Sequence, residues 1–461
     1  MGLTIKNVHI IGDDKGIRKD IFIEGGRIAG IGRMPEGFTA DEVIDGSHKV
    51  LMPGMVNAHT HAYMSVFRNY ADDLPFAEWL FEKIDPLESR MTSDQAYWGN
   101  MLSIAEMIRT GTTCFVDMQM FPRMAVKACA DSGMRALITR GLVGNDRNDE
   151  GGIRRLNEAF DEMEYAKSLP DAQVTFALGP HAIYTCGEDY LRYVAEVAKE
   201  KGLMINIHLT ETQYEFDTCM KEHGMTPAAY IQSLGLLDVP AILAHCVYLT
   251  GDDFAILKTP GVSVVTNPAS NMKLGNGFAP VPRMLQEGIN VCLGTDGASS
   301  NNALNMFREL GLMTLAQKGA TKDSLVLKAD ETLQIAVENG YKAIAPSFAS
   351  SGGSDRQTGE YAQAGNDTQA DNGGTFSRGK VRDVQGGRVE EGYLADLILL
   401  DEEAPNFQPK HNWKAAVAYS STGYEVTDTI INGKVVMRDR VLTTIDEERV
   451  NFEIARAVED F

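Results

Sequence analysis

Apolar and polar residues alternate with period two in "LTIKNVHIIG", "DIFIEGGRIAGIG" and "EVIDGSHKVLMPG", within the first 55 residues. That period is the signature of short strands with one face buried. "EGGRI" between two such runs reads as a hairpin turn. The pattern returns in "GYLADLILLD" and "DTIINGKVVMRDRVL", with "NG" as a second hairpin turn. Two β-rich ends predict one small β-sandwich domain assembled from residues 1–55 and 384–445, with a C-terminal helix over 446–461.

Between these ends the period changes. Eight strand-like apolar runs alternate with helical stretches such as "DYLRYVAEVAKEKG": "VLMPGMVNAHTH", "GTTCFVDM", "RALITRGLV", "VTFALGPHAIY", "LMINIHLTE", "AILAHCVYL", "GVSVVTNPAS" and "INVCLGTDG". Strands alternating with helices argue for an α/β fold with parallel strands. No glycine-rich dinucleotide fingerprint follows the first run, so a (β/α)8 TIM-like barrel over 56–346 is favoured over an open doubly wound sheet. Residues 347–383 are rich in Gly, Ser, Asp, Gln and Asn. Such a stretch buries too little surface to offset its ordering entropy and reads as a surface insertion.

Composition narrows the function classes. A net charge of −21 argues against nucleic-acid or anionic-membrane partners, which select basic patches. The six cysteines are scattered, with no C-x-x-C pair, and most lie in apolar runs, as reduced thiols do. A charge and a turn interrupt the first residues where a signal peptide needs an apolar core, and no run approaches the roughly 18 apolar residues of a membrane span. The expectation is a cytoplasmic enzyme. Its oligomeric state is open, a homo-oligomer included.

In a barrel of this kind the strand C-termini open onto one face, where catalytic groups gather. Five of the nine histidines fall at such ends: His59, His61, His181, His208 and His245, joined by Glu211 and Asp296. His59, His61 and His208 offer imidazole nitrogens and Asp296 a carboxylate, a donor set suited to Zn²⁺ or other borderline divalent ions. Such an ion lowers the pKa of bound water toward ~7. Glu211, three residues after His208, is placed to carry a proton, and His245 to orient the nucleophile. Two-metal barrel hydrolases usually bridge their ions with a fourth-strand lysine; "VTFALGPHAIY" has none, which points to one metal per subunit.

The set "PGMVNAHTH", "HLTE", "AHC" and "GTDG" resembles the amidohydrolase superfamily, in its branch of mononuclear aminohydrolases. "FAEWLFEKIDPLESRMT", "LITRGLV", "LGPHAIYTC" and "NPASNMKLGNGFAPVPRML" are similar to the 5-methylthioadenosine/S-adenosylhomocysteine deaminases. The resemblance implies one divalent metal, Zn²⁺ first, with Fe²⁺, Mn²⁺ or Ni²⁺ as alternatives. It implies that Glu88 binds the ribose hydroxyls, that His181 contacts the nucleoside, and that Arg140 faces the carboxylate of a homocysteine moiety. A second arginine follows a Gly-Gly pair, here Arg154 or Arg155 with the register open; Arg154 is taken first. Trp79 and Phe81 are candidates to pack on base or thioether. On residue type alone Glu88 reads as a helix-start acid and Arg140 as an ion-pair partner.

The reaction so implied is hydrolytic deamination at C6 of an adenosine-type nucleoside. Glu211 protonates N1, Asp296 and His245 take the water's proton, and ammonia leaves an inosyl product. The alternatives are an aminohydrolase or chlorohydrolase of another ring (guanine, cytosine, an s-triazine) and a non-catalytic structural relative.

Overall fold

The computed structural model describes residues 2–13, 16–169, 171–350 and 385–459. All eight strand-like runs of the middle form strands, in chain order Met55–Thr60, Thr112–Gln119, Arg135–Leu142, Gln173–Phe176 continued by Gly179–Pro180, Ile205–Leu209, Ala241–His245, Val262–Thr266 and Asn290–Leu293. Each pairs in parallel with its neighbour in sequence, in two groups of four. Two seams close the ring. At one, Leu178 bridges Ile205, and the amide of Asn206 donates to Leu178 O at 2.9 Å. At the other, the amide of Asp296 donates to His59 O at 2.9 Å, while Asn57 Nδ2 donates to Thr295 Oγ1 at 2.7 Å.

The barrel is a packed core. Val56, Cys114, Leu137, Ala177, Ile242 and Val265, from separate strand runs, belong to one buried cluster with Tyr341 and Ile344 of the helix Glu338–Ser350. Local chemistry fixes the surrounding helices. Thr92 caps Ser93–Arg109 in a reciprocal box with Gln95, and Glu188–Lys201 begins with two acids, ends with two lysines and stops at Gly202 in the left-handed region. Among the described residues no helix is long and apolar enough to cross a membrane.

The two β-rich ends meet in one continuous nine-stranded sheet. Leu397–Asp401 runs antiparallel to Lys49–Pro53, Leu399 opposite Leu51, and this pairing joins the termini. Leu3, Ile5, Ile21, Ile23, Ile44, Leu397 and Ile430, from both ends of the chain, share one core. Both expected hairpins form, with Gly25-Gly26 (φ 59° and 78°) and Asn432-Gly433 (φ 51° and 73°) at their turns.

One expectation changes. The insertion was expected to begin at 347, but the helix Glu338–Ser350 runs through its first residues. Ser347 is buried and its Oγ lies 2.8 Å from Thr175 Oγ1; Phe348 packs against the barrel's inner cluster. The apolar spacing Tyr341, Ile344, Phe348 follows the helical period, which a composition-based boundary overlooks. The remainder, 351–383, lies outside the described residues.

Candidate metal centre and substrate cavity

Five groups from four strand ends converge. The ligand atoms of His59, His61 and His208 lie within 4.8 Å of one another, as do those of His59, His245 and Asp296. Asp296 Oδ1 is 3.6 Å from His59 Nε2 and 3.5 Å from His61 Nε2. All five residues are buried.

The hydrogen bonds fix what this cluster can hold. His61 Nδ1 lies 2.9 Å from Met118 O and His208 Nδ1 lies 2.7 Å from His181 O. A carbonyl only accepts, so each Nδ1 carries the proton and each Nε2 presents a bare lone pair. Those two Nε2 atoms are 3.2 Å apart. Both ring nitrogens of His59 are buried without a hydrogen-bond partner. Facing lone pairs beside a carboxylate are unfavourable unless a cation lies among them, so the residues fit a divalent ion. Burial pushes these histidines toward the neutral form a ligand needs, against the pull of Asp296 on His59, which still falls to about 4, and with the help of the neighbouring imidazoles for His208, which lies well below its usual range. Burial works to raise Asp296, but the close approach of His59 and the surrounding imidazoles outweigh it and hold the carboxylate ionised.

The backbone bends sharply where these side chains are presented. Thr210 (φ 49°), His245 (φ 73°) and Asp296 (φ 63°) are non-glycine residues in the left-handed region, a strain that persists only where surroundings over-determine it. Those surroundings are visible. Glu215 accepts from the amides of Thr210 at 3.0 Å and Glu211 at 2.9 Å. Asp296 accepts from Ser270, Ser300 and the amide of Gly297 at 2.7, 2.9 and 2.8 Å. Asn271 Oδ1 lies 2.8 Å from His245 Nδ1.

A cavity of about 240 Å³ opens from this cluster. Glu211 lines it, held by Asn276 Nδ2 at 3.2 Å and lying 3.8 Å from His245 Nε2. Burial, then the charge of Asp296, raise its carboxyl well above the usual range. Glu88, Trp79, Phe81 and His181, all candidates from the sequence, also line the cavity. Trp79 is buried with its Nε1 unpartnered, whereas Phe81 is half exposed. Glu88 receives the hydroxyl of Tyr63, and burial raises its pKa to about 7.

The arginine candidates fall in different places. Arg140 is absent from the cavity wall: its Nε binds Glu158 at 2.9 Å and its Nη1 binds Gly141 O at 2.9 Å, while Gly141 itself lines the wall. The guanidinium is committed to an ion pair. Arg154 is exposed, 3.6 Å from the same Glu158, and Arg155 lines the cavity instead, its Nη1 donating to Val143 O at 3.1 Å. Neighbours on a helix point about 100° apart, so only one of the pair can face inward. Tyr63, Gln119, Tyr184 and Ser300 on the wall, and Asn276 and Glu215 behind it, were not singled out in the sequence. "NPASN" carried the signal for Ser270 and Asn271, as polar residues in the short helix Pro268–Lys273 that follows a buried strand; Tyr63 and Gln119 carried none.

A model of the amidohydrolase family matches residues 50–346, more than half of the chain. This chain belongs to the amidohydrolase family. It is a hydrolase of C–N bonds of the deaminase group. The amidohydrolase is 37% identical over 463 residues to a 5-methylthioadenosine/S-adenosylhomocysteine deaminase of Caldanaerobacter subterraneus subsp. tengcongensis, covering 100% of this chain and 98% of that one. It is 39% identical over 450 residues to a 5'-deoxyadenosine deaminase of Methanocaldococcus jannaschii, covering 97% of each. Among solved structures, a zinc-bound adenosine deaminase from Xanthomonas campestris superposes with a TM-score of 0.85 at 26% identity, over 99% of this chain and 98% of that one. The amidohydrolase thus shares the barrel, the two-ended sheet and a metal-ligating cluster typical of the family.

Proposed function

We propose that this amidohydrolase deaminates the adenine ring of nucleosides with a modified 5′ position, 5′-methylthioadenosine and S-adenosylhomocysteine first and adenosine or 5′-deoxyadenosine second. The observation that carries the reading is one cavity lined both by proton-handling groups and by a hydroxyl-binding pair. Glu211, His245 and Asp296 border the histidine cluster, and Glu88 with Tyr63 lie along the same wall. Names borne by full-length relatives supply the substrate class.

One zinc ion held by His59, His61, His208 and Asp296, beside His245, would supply an activated water at neutral pH. The remaining work belongs to side chains. Glu211 is assigned to protonate N1 of the purine, which makes C6 electrophilic. Asp296 and His245 receive the proton of the attacking water. Asn276 keeps the Glu211 carboxyl turned toward the cavity. His181 contacts the nucleoside, and its Nδ1 is fixed by Thr185 Oγ1 at 2.9 Å, which sets the ring's orientation. A carboxyl can accept from two adjacent hydroxyls, so Glu88 takes the ribose diol. Trp79 packs on the base or thioether. Arg155, one of the two arginines the Gly-Gly register left open, lines the cavity and is assigned to the anionic end of a homocysteine tail.

The test is ammonia release, with the accompanying change in purine absorbance, using zinc-loaded protein and a panel of the four nucleosides plus free adenine and guanine. Turnover of the nucleosides, greatest with a 5′-thioether, is expected. Activity confined to free bases would overturn the nucleoside reading.

A further inference from the structure

Gln119 closes the strand Thr112–Gln119, is buried, and lines the substrate cavity. Its amide orientation is set by Asn100, which can only accept from it. Asn100 Nδ2 donates to Ala96 O at 2.8 Å, so Asn100 can turn only its Oδ1 toward Gln119. Gln119 Nε2 donates to that Oδ1 at 2.8 Å and also to the carboxyl of Asp117. Rotating the amide would set oxygen against oxygen at Asn100. The Oε1 is therefore locked on the other side, buried and without a hydrogen-bond partner.

We propose that Gln119 is a specificity-determining residue whose Oε1 accepts a hydrogen bond from a ribose hydroxyl of the bound nucleoside. This rests on the nucleoside reading above and adds an acceptor to it. Asp117 anchors the amide, and its other oxygen accepts from the amide of Ala62 at 2.9 Å, one residue beyond His61. Met118, between them, holds His61 through its carbonyl. The acceptor is thus built into the same strand end that orients a candidate metal ligand. Glu88 already spends part of its capacity on the Tyr63 hydroxyl, so a second acceptor on the wall complements it. A fixed acceptor disfavours any ligand that cannot donate to it, because the buried oxygen then stays unpaired.

The experiment compares adenosine with 2′-deoxyadenosine and 3′-deoxyadenosine in the zinc-loaded wild type, Gln119→Leu and Gln119→Met. The expected result is a fall of about tenfold in kcat/KM for adenosine and one of the deoxynucleosides, the scale of one lost hydrogen bond. The other deoxynucleoside, lacking the donor, should lose almost nothing. A structural defect would lower all three alike, and that outcome overturns the proposal, as does an unchanged kcat/KM for all three. Gln119→Met retains length and volume, so it serves where the leucine variant does not fold. If the wild type deaminates no adenine nucleoside, the functional reading itself falls and this inference falls with it; an active wild type with an indifferent Gln119 overturns the inference alone.

Discussion

At the residue scale, the site is governed by which atoms are already committed. Glu88 has the Tyr63 hydroxyl on one oxygen and faces Asp85 and Arg140 through space, yet burial dominates and lifts its pKa from 4.5 to about 7. A carboxyl whose folded pKa is raised binds its proton more tightly in the folded chain, so its contribution to stability is present below about 4.5 and is lost as pH rises toward about 7. Glu88→Gln removes that loss. Its melting temperature should fall less than the wild type's between pH 5 and pH 8, while KM for nucleosides rises about ten- to hundredfold, as for a lost bond to a charged acceptor. Parallel melting curves across that range would remove Glu88 as the source. Gly294 is constrained differently: an added Cβ would sit 2.5 Å from Asn267 Oδ1 and 2.9 Å from the backbone N and O of His59. Gly294→Ala must therefore shift His59. It should retain less zinc after dialysis than Gly251→Ala, where a Cβ meets nothing within 4 Å. Equal zinc contents would show that the strand end absorbs the methyl.

At the element scale, periodicity made the strands readable. Each of the eight middle runs alternates or is continuously apolar and ends in polar residues, which marks a buried parallel strand. Both hairpins were written in their turn residues, and the donor types at strand ends identified the metal-ligand cluster. Packing against distant chain was not legible. Arg140 sits on the strand Arg135–Leu142 and pairs with Glu158 of the helix Glu150–Lys167, whereas Arg155 on that helix lines the cavity, and neither placement is written in the local sequence. Arg135 likewise gave no sign of its partner 261 residues away. It pairs with Asp396 at 2.6 Å, both buried, and Asp396 also accepts from Tyr341 at 2.9 Å and the amide of Asn432 at 2.6 Å. This network ties a barrel strand to the returning sheet. Removing one partner leaves the other charge buried, so Asp396→Ala should cost about 3–5 kcal/mol in chemical denaturation. The double variant Arg135→Met/Asp396→Leu should recover most of that loss; a double variant as unstable as the single would place the cost in the Tyr341 and Asn432 bonds.

At the scale of the whole molecule, the histidine cluster is a fault in the fold unless a cation fills it. The ring closes through it: the amide of Asp296 on the eighth strand's end binds His59 O on the first. The same two residues carry ligand atoms 3.6 Å apart. His61 and His208 press two lone pairs to 3.2 Å on opposite sides of the barrel's mouth. An ion that binds only the folded chain stabilises it by RT ln(1 + [L]/Kd), about 4 kcal/mol at a thousandfold excess over Kd. Metal loss should therefore loosen the barrel at its closing seam as well as abolish activity. Chelation followed by dialysis is expected to lower the melting temperature by several degrees, and stoichiometric zinc to restore it together with turnover. His208→Asn, which removes one of the converging nitrogens while leaving the strand intact, should be nearly indifferent to added zinc. A chelated protein that melts with the zinc-loaded form would show that the cluster is relaxed without a metal. In that case the ion contributes chemistry and not cohesion.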